Sequence, residues 1–148
     1  MSTLAEASAR AALASRIRQL ALDTTPAWGK MSAQRMLAHC ADAMRMAYGE
    51  FPVAPRDTPL TRNFFVKRLI LYVLPFPKSA PTAPELLVRD ITDGEIERQA
   101  LLELIARFPG ETSRTEWPAH PLFGPMSAAE WGRLGYKHLD HHLSQFRV

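Results

Sequence analysis

Prolines separate the stretches of this chain that repeat with a helical period, and that punctuation restricts the fold more than any other feature. The 148 residues carry 12 prolines. Three fall in the segment 51–62 (F-P-V-A-P-R-D-T-P-L-T-R) and four in 75–84. Proline inside a helix removes a hydrogen bond and clashes with the preceding turn, so these blocks must be connections. Between them lie four stretches with apolar residues at helical spacing, and no strand-like alternation persists.

The first stretch runs from about Thr3 to Leu22, with Leu13, Ile17 and Leu20 on one face, and ends at Asp23-Thr24-Thr25-Pro26. Its Ser- and Arg-containing N-terminus resembles an organelle transit peptide, but Glu6 and the continuous helical pattern favour a first structural helix. The second begins with Ser32 as N-cap and runs to about Tyr48, before Gly49. On it Met36, His39, Ala43 and Met46 share a stripe, which places a polar ring among buried positions. Asn63 to Val73 reads as a short helix, and 75–84 as extended and irregular. The third main helix starts at a capping box, Thr92 with Glu95, and stops at Pro109-Gly110. Residues 111–126 form a long loop. A second capping box, Ser127 with Glu130, opens the fourth helix, which continues almost to Val148. The expected fold is one all-α domain over residues 1–148, a four-helix bundle with long Pro-rich connections.

Several function classes are excluded or disfavoured by composition. A net charge of +3, with Arg and Lys scattered among acids, gives no basic stripe for nucleic acid. No run approaches the roughly 18 apolar residues of a membrane span, so no membrane partner is expected. The single cysteine, Cys40, rules out an internal disulfide and suits a reducing cytosol. There is no Gly-rich phosphate loop and no CxxC.

Three of the five histidines crowd into residues 138–142. Four residues advance a helix by about 400°, so His138 and His142 project from one face a turn apart, at the spacing by which H-E-x-x-H metalloproteases hold zinc. His141 lies one turn from His138 as well. The stripe through Trp131, Leu134 or Gly135, His138, His142 and Gln145 keeps His142 on the core side and turns His141 toward Asp140 and solvent. Two imidazoles rarely suffice, because a catalytic zinc-type site uses about three protein ligands and leaves a position open. His39, inward on the second helix, offers a third, and bundles place their metals in the core between helices. Imidazole suits Zn, Ni, Fe or Cu, so the donors do not name the ion. Against this stands the plain reading: an i,i+4 histidine pair is weak by itself, and a single core histidine is usually a hydrogen-bonded structural residue.

Cys40 points about 100° away from His39 and reads as a packed residue. Asp42 reads as a partner orienting an imidazole or as a solvated acid. His120 reads as a fourth ligand, a proton shuttle or a surface residue. His120 and Tyr136 are the candidates for proton transfer.

Two stretches carry a family resemblance: W-G-K-M-S-A-Q-R-M-L-A-H-C-A-D-A-M-R (28–45) and H-P-L-F-G-P-M-S-A-A-E-W-G-R-L-G-Y-K-H-L-D-H-H-L-S-Q-F (120–146). Together they resemble the DinB-like superfamily, and within it a branch of bacterial proteins with a W-G-K-M…H start and a Y-K-H-x-D-H-H-L-x-Q-F ending. The resemblance implies an up-down-down-up four-helix bundle. It also implies a divalent metal (Zn, Ni, Fe or Mn) held by His39, His138 and His142, with Gln145 following the second ligand of the pair. Relatives include S-transferases using bacillithiol, mycothiol or glutathione and a mycothiol-dependent maleylpyruvate isomerase. The implied function is therefore a metal-dependent enzyme that activates a thiol or water for attack on a small electrophile. The implied partners are a small-molecule substrate, a low-molecular-weight thiol and a second copy in a homodimer; the implied location is cytoplasmic. The alternatives are a non-catalytic metal- or ligand-binding bundle of stress-response or other role, and a metal-free bundle with structural histidines.

Overall fold

The computed structural model describes residues 2–56, 58–78 and 82–148. Six α-helices follow in order: α1 (Ala7–Gln19), α2 (Ala33–Tyr48), α3 (Pro59–Arg62), α4 (Phe64–Tyr72), α5 (Gly94–Glu111) and α6 (Ala128–Gln145). A 3-10 turn, Pro84–Leu86, precedes α5. No strand occurs among the described residues, only an isolated bridge between His120 and Gly124.

Local sequence explains most of these boundaries. Ser32 caps α2 by accepting from the Arg35 N–H, and Gly49 closes it in the left-handed conformation at φ +80°. Ser127 and Glu130 form a complete capping box on α6, each side chain bonding the other's backbone N–H. Asn63 caps α4 with its side-chain oxygen on the Phe65 and Val66 N–H groups.

Four boundaries differ from expectation. Helix α1 is shorter at both ends, because Leu4 leaves the helical path to pack on α6 with its N–H on the Gly132 carbonyl. Gly135 permits that approach: a Cβ there would meet Leu4 Cδ1 at 2.6 Å. Asp93, not Thr92, caps α5, its side-chain oxygen accepting from the Glu95 N–H at 2.7 Å. Helix α5 runs through Pro109 to Glu111; Pro109 forgoes one bond to the Ile105 carbonyl, and only two helical residues follow it. The connection 51–62 contains a helical turn, α3, with Pro59 in its first positions. The described residues of 75–83 are non-helical up to the 3-10 turn at Pro84, and residues 79–81, Pro81 among them, lie outside the described residues.

Contacts between the long helices define the bundle. Residues 4 and 16 of the N-terminal region meet 132 and 140 of α6, so α1 and α6 run parallel. Arg98 near the start of α5 bonds the Ile17 and Leu20 carbonyls at the end of α1, so those two are antiparallel. Tyr48, at the end of α2, donates to the Leu104 carbonyl far along α5, while Gly94 at the start of α5 abuts Gln34 at the start of α2. Helices α2 and α5 are therefore parallel. His39 facing His138 and Met44 near Gly135 make α2 and α6 antiparallel. The direction is up-down-down-up, and each long helix packs on two others around one core that includes Leu13, Ile17, Leu37, Leu101, Phe108 and Leu139.

Candidate metal centre

Helices α2 and α6 each bring part of the site. The buried stripe of α2 is centred on Leu37, Cys40, Ala41, Met44 and Tyr48, with Ala43 and Met46 only at its margin. His39 occupies the edge of that stripe that faces α6 and is 3% exposed. On α6, His138 and His142 lie one turn apart and both turn toward it. His39 Nε2 stands 2.9 Å from His138 Nε2. The His39 ring centroid is 4.9 Å from that of His138 and 4.8 Å from that of His142, and the two α6 rings are 4.7 Å apart. One ligand nitrogen from each of the three falls within 4.8 Å of the others.

Burial keeps these rings uncharged. Loss of solvation lowers His39 to about 4, against weaker opposing pulls from the Leu86 backbone and the Asp42 charge. Burial, followed by the nearby His39, lowers His142 to about 3. His138 is driven well below the ordinary imidazole range by burial first and by its histidine neighbours second. At neutral pH all three therefore present lone pairs, the form in which imidazole binds metal.

The tautomer of His142 is set by a relay from outside the triad. Gln145 Nε2 donates to the Trp28 carbonyl at 2.7 Å, which points its Oε1 at His142 Nδ1, 3.0 Å away. An oxygen accepts, so Nδ1 carries the proton and Nε2 is left as the free donor atom. Gly29 makes room for this amide: at φ +76°, a Cβ there would lie 2.9 Å from Gln145 Nε2. The W-G pair in the W-G-K-M stretch thus orients a ligand on a helix more than a hundred residues away. His39 Nδ1 is buried without a well-aligned hydrogen-bond partner, although the Leu86 backbone lies near enough to favour a proton on the ring.

The donor set fits a divalent cation. An ion about 2.0–2.1 Å from each nitrogen sets neighbouring donors roughly 3–4 Å apart, and the triad's spacing brackets that range. No carboxylate or thiolate joins the three imidazoles among the described residues.

The other sequence candidates lie elsewhere. His120 caps its own turn, with Nδ1 accepting from the Leu122 and Phe123 N–H groups and its ring against Phe123 and Trp131. Burial lowers it to about 4, with a smaller push from Lys67. Tyr136 packs against the core and stands roughly 160° around α6 from His138. Neither hydrogen-bonds a triad ring. Cys40 is buried, its thiol 3.6 Å from Met36 Sδ, and burial pushes it well above the usual thiol range. Asp42 neither orients an imidazole nor faces solvent: it is 2% exposed and pairs with Arg45 and Arg89.

His141 departs from its expected solvent-facing position. It stands edge-on to Trp28 and to Phe76, each at 5.9 Å between ring centroids, and Phe76 also reaches His138 at 6.4 Å. These rings wall one side of the triad. Trp28 has a signal in its motif, but Phe76 lies in a proline-rich connection with no local pattern to mark it.

The profile of the DinB superfamily matches residues 6–146. The chain belongs to the DinB superfamily. The match spans both the α2 and the α6 contributions to the triad. No curated protein and no solved structure matches the chain.

Proposed function

We infer that this DinB-superfamily chain is a divalent-metal-dependent enzyme, with His39, His138 and His142 as ligands, acting on a small electrophile with a thiol or water as nucleophile. The observation that carries the reading is the convergence of three neutral imidazoles from two helices, with ligand atoms within 4.8 Å. A divalent cation held by three protein nitrogens keeps a position open, where it lowers the pKa of a coordinated thiol or water. The chain's own groups do the rest. Gln145 holds His142 in the tautomer that frees Nε2. Burial holds all three rings neutral, so an incoming ion meets no imidazolium charge. Trp28, Phe76 and His141 form an aromatic wall that limits water on one side. A low-molecular-weight thiol is the nucleophile favoured by superfamily membership, and the reducing cytosol implied by a lone buried cysteine supplies one.

Metal content measured by mass spectrometry, on protein purified without a histidine tag, tests this directly. About one ion per chain is expected, lost in both His39→Ala and His138→Ala, together with turnover in a panel of thiols and electrophiles. An ion retained in both variants would overturn the ligand assignment. A bound ion that raises thermal stability with no turnover would leave a metal-binding bundle and overturn the enzyme.

A further inference from the structure

Helix α4 carries apolar side chains on most of its circumference, yet only one side has a partner. Lys67 and Leu71 form its buried stripe. Leu71 is fully buried, and Lys67 Nζ reaches the Pro125 carbonyl and Glu130. From α6, Arg133 and Lys137 donate to the Leu71 and Ile70 carbonyls. About 200° around the helix, Phe65, Leu69 and Val73 form a second apolar stripe that nothing covers. Phe64, Leu60 and Leu74 extend it, and Phe65 is 78% exposed. Six of the nine large exposed hydrophobic side chains of the described residues thus sit between 60 and 74. Contiguous exposed apolar patches of this kind mark interaction surfaces.

Charge selects the occupant. No acidic residue occurs between Asp57 and Glu85, a span that includes Arg62, Lys67, Arg68 and Lys78. Arg62, Arg68 and Lys78 are exposed. Arg68 lies over the Phe64 and Tyr72 rings at 5.6 and 5.1 Å, so its cation flanks the apolar stripe. Pairing two copies through this face would set Arg62 and Arg68 against themselves, with no carboxylate on the patch to offset them. A surface that is apolar beneath and anionic at its boundary complements both features, and aromatic side chains beside basic ones are the composition of interfacial helices.

We propose that the α3–α4 face docks this protein on an anionic lipid surface, with Phe64, Phe65, Leu69 and Val73 entering the headgroup boundary and Arg62 and Arg68 meeting the anionic headgroups. The absence of any helix long and apolar enough to cross a membrane leaves this peripheral mode open. The docking face adjoins the metal centre, since α4 leads directly into Phe76 of the aromatic wall.

Flotation of the full chain with vesicles tests the assignment, using phosphatidylcholine alone and equal parts phosphatidylcholine and phosphatidylglycerol. The protein is expected to float with the anionic vesicles and to be released by salt. Phe65→Ser with Leu69→Ser should weaken partition more than tenfold, and Arg68→Ala about fivefold. Both variants change exposed positions, so circular dichroism and the melting temperature should stay as in the parent chain. Equal flotation on phosphatidylcholine alone would overturn the anionic assignment. No flotation on either vesicle would overturn docking altogether. A solution dimer that Phe65→Ser splits into monomers would show that a second copy, not a lipid, covers the face.

Discussion

Helix α2 carries two buried polar clusters only three residues apart, and they are built on opposite principles. Asp42 faces α5 and the segment before it, where Arg89 bridges Asp42 and Glu97 and Arg45 completes the set. Two carboxylates meet two guanidiniums, and Arg89 holds both Glu97 oxygens at 2.6 and 2.7 Å. His39 faces α6, where two further imidazoles meet it with no counter-charge bonded to any of the rings. The first cluster is matched within the protein and needs nothing more. The second presents lone pairs to one another, and a single proton between His39 Nε2 and His138 Nε2 satisfies only part of it. Buried polar groups are normally paired, so the unmatched cluster is the one that calls for an outside ion.

If the comparison holds, the clusters separate under mutation. Asp42→Ala should have the larger effect on folding. Removing one member of a fully buried pair costs roughly 3–5 kcal/mol; Arg45 and Arg89 reach solvent here, so about 2 kcal/mol is expected. A chain of this size should then melt about 4–8 °C lower, with metal stoichiometry unchanged. Loss of the ion in Asp42→Ala would mean the clusters are coupled and the division between them wrong.

Gln145→Leu should do the reverse. Without the amide, either tautomer of His142 is allowed, and metal affinity should fall roughly 10- to 100-fold. Competition with a metal-sensing dye measures this. The effect should appear in affinity while the metal-free melting temperature changes little. Unchanged affinity would show that packing alone orients His142.

The most diffuse effect is the pH dependence of the metal-free protein. His39 and His120 are lowered to about 4 in the fold, against an ordinary 6.5. Between those values the unfolded chain binds more protons, so stability rises with pH through the window. It is fully present above about pH 6.5 and is lost as pH falls toward about 4. Denaturant titrations across that range should show the loss, reaching up to about 3 kcal/mol for an imidazole as buried as His39. A flat profile would mean that the imidazoles are not held neutral by burial.

Much of this protein is legible without its tertiary structure, for a local reason. Helical periodicity and capping chemistry act over a few residues, so Ser32 and the Ser127–Glu130 box mark their helices correctly. The same periodicity puts His138 and His142 on one face whatever else the chain does. Where a local signal has a close competitor it misleads: Thr92 and Asp93 both can cap α5, and Pro109 marks a stop two residues before the helix ends.

The sequence by itself determined the long helices, the caps of α2 and α6 and the two-imidazole face of α6. Only the packing of α2 against α6 decided that His39 meets that face at 2.9 Å, because the rotation of one helix against another depends on every side chain between them. Packing also decided that Gln145 reaches across to the Trp28 carbonyl, that Phe76 walls the triad, and that Asp42 is buried in ion pairs. It left one side of α4 uncovered for the same reason: an apolar stripe is a local property, but whether anything lies against it is not.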